Sequence, residues 1–172
     1  MVKQASCIAA LIAALAAPAS AQSVEDAGKF FDQVMTNGAT KIYRAHSSTT
    51  WDSGYHSQPS GSSTSDCSTK IVGRAINGTS GPYNDYYFNA SIDWSKAIEA
   101  KHFFTDPEQS GLILLGGAST TMGETAGSYT YSGSTGAVPG LLIQTQSTAM
   151  DGRVQKAIDI LISACAKSSF GF

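Results

Sequence analysis

Charge is what this sequence has least of. Only 14% of its 172 residues are Asp, Glu, Lys or Arg, against about a quarter in a typical soluble chain. The surface must therefore be solvated largely by hydroxyls and amides, a composition that suits an exported protein. Acids and bases are scattered, the net charge is −2, and no run of Lys or Arg stands ready to neutralise a phosphate backbone. Nucleic acid is not an expected partner. Disorder of the highly charged kind is excluded on the same ground.

Catalytic and metal motifs are also missing. There is no Gly-x-Ser-x-Gly elbow, no HExxH, no CxxC and no phosphate-binding Gly-Lys-Ser/Thr loop. A Ser/His/Asp triad could draw on His46 or His56 with Asp52 or Asp66, but serine is too abundant for one nucleophile to stand out. His46, His56 and His102 have no compact ligand spacing, so no metal and no cofactor is expected. Thirteen acids select no carboxylate pair for glycoside hydrolysis.

Long hydrophobic runs are scarce as well. The one at the start is Cys7–Ala17, preceded by Lys3 and followed by Ala19-Ser20-Ala21. That is the layout of a secretory signal peptide over residues 1–21, cleaved before Gln22. The run is short for a hydrocarbon core of ~30 Å, and no later stretch is long enough to span a membrane. The expected product is an exported chain, periplasmic or secreted, with residues 22–172 forming one domain.

Cleavage leaves two of the three cysteines, Cys67 and Cys165. In an oxidising compartment these most simply form one disulfide; two buried thiols are the alternative. Closing a loop of about a hundred residues contributes up to ~4–5 kcal/mol on the chain-entropy estimate.

What is present is periodicity. Ala27, Phe30, Phe31, Val34 and Met35 recur at helical spacing from about Val24 to Thr36, with Ser23 as N-cap, Asp26 three residues on, and Asn37-Gly38 as terminator. A second stripe of Val154, Ala157, Ile158, Leu161, Ile162 and Cys165 marks a helix over Asp151–Lys167. Between them, Lys41–Ala45, Cys67–Ile76 and Ile98–Phe104 read as strands. The stretch Tyr86–Trp94 alternates Tyr86, Phe88, Ala90, Ile92 and Trp94 with polar residues, the mark of a half-buried antiparallel strand. GLILLGG (Gly111–Gly117) and GLLIQTQ (Gly140–Gln146) do not alternate and read as strands covered on both faces. The Ser/Thr/Gly-rich His46–Asp66 reads as a long polar loop, or two ragged strands joined by one. Ala118–Pro139 reads as a loop or exposed hairpin. The expected fold class is α+β: an antiparallel sheet of four to six strands packed against N-terminal and C-terminal helices.

One constellation points to binding. Trp51, Asp52, Tyr55 and His56 lie together in the polar loop, where rings can stack on apolar faces of sugars or peptides while neighbours hydrogen-bond. The competing reading folds Trp51 and Tyr55 back as a satellite cluster under the loop. The leading functional expectation is a small exported, non-catalytic domain that binds a ligand or an envelope partner. A small hydrolase acting on envelope or extracellular polymers is the alternative. The third is a self-associating structural protein, a homodimer burying the second face of the two apolar strands.

Overall fold

The computed structural model describes residues 23–51, 54–77, 81–104, 110–124, 133–145 and 147–168. The segment expected to be a signal peptide, the Asn77-to-Asp85 connection in part, and Tyr129 and Tyr131 lie outside them. The elements are α1 (Val24–Met35), β1 (Lys41–Ala45), β2 (Tyr55–Ser65), β3 (Ser68–Asn77), β4 (Gly81–Asp93), β5 (Glu99–Phe104), β6 (Ser110–Glu124), β7 (Gly133–Gln144) and α2 (Thr148–Ser168).

All pairings are antiparallel, and they close. The order runs β4-β3-β2-β1-β7-β6-β5, and β6 also pairs with β4. The result is a closed six-stranded antiparallel β-barrel plus one strand, β5, with two helices. This corrects the α+β expectation of a sheet packed against helices. The reason is β2. Tyr55–Ser65 lies within the stretch read as a long polar loop or two ragged strands joined by one, yet it is one continuous strand that pairs along its whole length with β3 and joins β1 through Ile42↔Ser57. Extension of β6 and β7 past their apolar halves supplies the rest of the wall, with Ala118 opposite Val138 and Met122 opposite Gly133.

β4 and β5 run in the same direction along one edge of β6. Leu112 to Leu115 pair with β5, and Ala118 to Glu124 pair with β4. The jog between the two partners, Trp94–Ile98, faces Gly116 and Gly117, which have φ of 77° and 67°. A Cβ on Gly117 would collide with the Asp93 carbonyl, and one on Gly116 would press on the Lys96 carbonyl. Glycine is required at both, for conformation and for space.

The helices follow the sequence closely. Ser23 caps α1, its Oγ accepting from the Asp26 N–H at 3.0 Å while donating to the Asp26 carboxylate at 2.7 Å. The stripes of both helices and the inward residues Ile42, Ile71, Ala90, Ile92, Leu112, Leu114, Leu141 and Ile143 form one core. Asp151 ties the start of α2 to the end of β7 by accepting the Thr145 hydroxyl at 2.5 Å. Cys67 and Cys165 are bonded (S–S 2.06 Å), joining the β2–β3 turn to α2 across 98 residues.

β2 holds its place with hydrogen bonds where an apolar pattern is absent. Asp32 on α1 accepts from the Ser62 hydroxyl at 2.6 Å, the Thr64 N–H at 2.8 Å and the Thr64 hydroxyl at 2.9 Å. Gly28 lets the helix approach, since a Cβ there would lie 3.1 Å from the Thr64 methyl. Asp32→Ala removes a charged acceptor serving three donors and should cost about 2 kcal/mol or more in urea unfolding, with Asp32→Asn in between.

The turn between β2 and β3 has two residues, Asp66 and Cys67, both at positive φ (45° and 59°). Paired positive φ matches the twist of a hairpin and is usually given to Asn and Gly. Cysteine there is held by its bond to α2. Cys165→Ser should therefore cost about 2–5 kcal/mol. Adding Cys67→Gly in that background should recover about 0.5–1 kcal/mol, because glycine adopts the turn without strain. No recovery in denaturant midpoints would contradict this account of the turn.

Candidate functional site

The segment after β1 is ordered by its own hydroxyls. Ser47 Oγ accepts from the N–H groups of Thr49 and Thr50, and the Thr50 carbonyl accepts from His46 and Ser47. This tight loop turns the chain back so that Trp51 pairs with Ala45 in an isolated bridge. The Trp51 ring meets Phe103 of β5 edge-on, with centroids 4.5 Å apart and planes at 74°. The two rings join Tyr43 and Leu115 around Ala45, Ile113 and Leu142, a second cluster on the outer face of the β1–β7–β6–β5 wall.

Tyr43 connects this cluster to His56. Its ring lies 5.2 Å from the imidazole at a tilt of 34°, and its hydroxyl donates to Gln144 Oε1 at 3.3 Å. Burial raises the Tyr43 pKa. His56 is buried, and its pKa falls below the ordinary value through burial and then through the Lys41 charge. At neutral pH it is an uncharged ring with one donor and one acceptor nitrogen. Tyr55, the first residue of β2, stays 41% exposed.

Three of the four expected binding residues thus have described positions. Trp51 packs into a satellite cluster, His56 lies against the ring that borders it, and Tyr55 stands on the surface at the start of the same strand as His56. Asp52 lies outside the described residues. Tyr43 and Phe103 complete the aromatic group and escaped the sequence reading. Tyr43 could have been found, since alternation in KIYRA sets it on the face opposite Ile42. Phe103, 52 positions beyond Trp51, gave no local signal.

His56 and Asp66, one of the pairs that could be written into a triad, do not converge. Asp66 sits at the turn joining β2 to β3, whereas His56 is at the far end of β2, opposite Ile76. Ten residues of strand separate them by about 30 Å. Among the described residues, no three His, Cys, Asp or Glu side chains are grouped to hold a metal ion, and no helix is long and apolar enough to cross a membrane.

A cleft of about 300 Å³ opens at the jog, lined by Ser68, Ser91, Asp93, Lys96 and Ser119 around Gly117. Its polar groups other than Ser68 are occupied with one another or with Ser95. Ser91 and Ser119 hydroxyls lie 2.6 Å apart, Lys96 pairs with Asp93 at 2.8 Å, and the Ser95 hydroxyl donates to the same carboxylate. The hydrogen bond from Lys96, then that from Ser95, holds the Asp93 pKa below the usual carboxylate value.

Comparison with protein-family models, with curated proteins and with solved structures finds no match to this chain.

The depressed pKa of His56 couples protonation to stability. In the unfolded chain the imidazole takes its proton near pH 6.5, while in the folded chain it resists protonation until a lower pH. Stability should be flat above neutrality, fall as pH drops below about 6.5, and stop falling on this account once the folded ring is charged. The difference in unfolding free energy between wild type and His56→Gln, measured from pH 8 downward, isolates the effect. A difference independent of pH would remove it.

Proposed function

We propose that the mature chain is an exported, non-catalytic binding domain, with its ligand face on the outer surface around Trp51 and His56, reaching the exposed Tyr55 at the start of β2. The observation that carries this reading is a run of aromatic side chains on one wall of a closed barrel. Trp51 and Phe103 meet edge-on, Tyr43 and His56 lie ring to ring, and Tyr55 is exposed at the start of β2, next to His56 in sequence. Rings held by packing on a rigid sheet offer flat apolar surface with little further ordering cost, while the neutral imidazole and the Tyr55 hydroxyl supply directional hydrogen bonds. The expected ligand is a sugar or peptide segment of the envelope or the extracellular space.

Self-association has less behind it. Its motive was a second uncovered face on the two apolar strands. Leu112, Ile113, Leu114, Leu141, Leu142 and Ile143 are all at most 5% exposed, whichever face they occupy.

The test uses the secreted chain and its two tryptophans. Trp94 is fully buried and Trp51 half-buried, so a surface ligand should perturb the emission of Trp51 alone. In a glycan and peptide panel, a hit should be lost in Trp51→Phe emission. Binding should fall at least tenfold, or about 1.4 kcal/mol, in Trp51→Ala, Tyr55→Ala. Unchanged binding together with a lowered melting temperature would assign these rings to packing only.

A further inference from the structure

The sequence holds no cluster of cations, but the barrel builds one. β1, β2 and β3, read as KIYRA, YHSQPSGSSTS and STKIVGRAIN, contain Lys41, Arg44, Lys70 and Arg74 and no Asp or Glu. Lys41, Lys70 and Arg74 are exposed, and alternation sets them on the outer face. Lys70, Val72 and Arg74 follow one another on that side of β3, with Val72 half exposed between the two cations. Continuing the Ile42↔Ser57 register places Lys41 beside Gln58, and Gln58 pairs with Arg74. One row across three strands therefore reads Lys41, Gln58, Arg74, and the next reads Tyr43, His56.

These three cations differ from Lys29, Lys96 and Lys101, each of which is paired with an acid on its own element or turn. Among the described residues, no side-chain hydrogen bond or ion pair holds Lys41, Lys70 or Arg74. At strand spacing Lys41 and Arg74 lie about 10 Å apart, and Lys70 and Arg74 about 13 Å along β3. A single small anion would reach one of them, whereas an extended chain carrying repeated oxyanions reaches all three. Such a chain would also pass the Val72 side chain and border the Tyr43–His56 pair, which suit the C–H faces of sugar rings.

We propose that the outer face of β1, β2 and β3 binds an acidic polysaccharide, with Lys41, Lys70 and Arg74 as its anion contacts. The proposal rests on the binding-domain reading above and names its ligand class. Affinity then depends on several screened charges acting together, so it weakens as salt rises past the range where the Debye length is ~10 Å.

The experiment measures binding of the secreted chain to alginate, a uronate polymer, beside neutral dextran, dextran sulfate and oligo(dT). Alginate should bind and dextran should not. Lys41→Gln, Lys70→Gln, Arg74→Gln together should weaken alginate binding at least tenfold with an unchanged circular dichroism spectrum. Lys29→Gln, Lys156→Gln, on the helices, should change nothing. Retention of alginate by the triple variant overturns the inference, and so does equal binding of oligo(dT), which would reduce the face to charge alone. Preference for dextran sulfate over alginate assigns the anion as sulfate and keeps the polysaccharide. Dextran binding that depends on Trp51 and Tyr55 overturns the inference and leaves the binding-domain reading standing. Binding of none of the four, and of nothing in the glycan and peptide panel, removes both.

Discussion

Trp94 is the residue on which the separate parts of this structure meet. It follows the last residue of β4 and is fully buried. Its ring takes the edge of Phe31 from α1, with centroids 5.3 Å apart and planes at 89°. Its Nε1 donates to the Thr69 hydroxyl of β3 at 2.8 Å, and its backbone N–H donates to the Cys67 carbonyl at 2.9 Å. Thr69 in turn lies 2.7 Å from Thr64, which Asp32 holds. A single indole thus joins the N-terminal helix, the disulfide-bearing turn and the jog where β4 gives way to β5. A buried indole N–H left without an acceptor would cost roughly 1–3 kcal/mol, so the Thr69–Thr64–Asp32 chain is needed for the ring to be there.

The jog explains why the barrel closes at all. β6 has to pair with β5 along its first half and with β4 along its second, and the edge must pass from one strand to the other without leaving backbone groups unpaired. Gly116 and Gly117 absorb the offset as a bulge. The jog is then held by Ile98 N–H to the Leu115 carbonyl and by Ala97 N–H to Asp93. Closure removes the sheet edges of the six barrel strands, which matters for strands as apolar as GLILL. β5, outside the closed circle, pairs with β6 alone among the described strands, and Gln155 of α2 donates to its Ala100 carbonyl at 3.0 Å.

Elements that bury apolar side chains in a regular period were legible in the sequence. Both helices, the Ser23 cap, the Tyr86–Trp94 alternation and the cysteine pair could be read from residues alone. β2 could not. Its inward positions are Ser57, Pro59, Ser62 and Thr64, small or hydroxylated, and they are satisfied by partners far away in the chain: the Phe88 carbonyl for Ser57, and Asp32 for Ser62 and Thr64. Such a strand is specified by hydrogen bonds that only the folded chain reveals, and its sequence looks like a loop. Without β2 as a full strand, the remaining pattern reads as an antiparallel sheet packed against two helices instead of a closed barrel. For the candidate site, Trp51, Tyr55 and His56 were visible because aromatic residues are conspicuous among serines. Their partners Tyr43 and Phe103 were hidden by strand register and by sequence distance.

A protein with little charge places a premium on where its few charges stand. Three lysines stand beside acids close in sequence, as Lys29–Glu25, Lys96–Asp93 and Lys101–Glu99. Such pairs are nearly neutral at a distance and contribute little to recognition. Strand β2 brings no charge of either sign, and its insertion between β1 and β3 gathers Lys41 and Arg74 around an uncharged centre. No acid stands on these three strands to pair with their cations. The strand that sequence periodicity missed is therefore the one that gives the surface its electrostatic character. Burial first, and then the charge of Lys41, lowers the pKa of His56 on the neighbouring row.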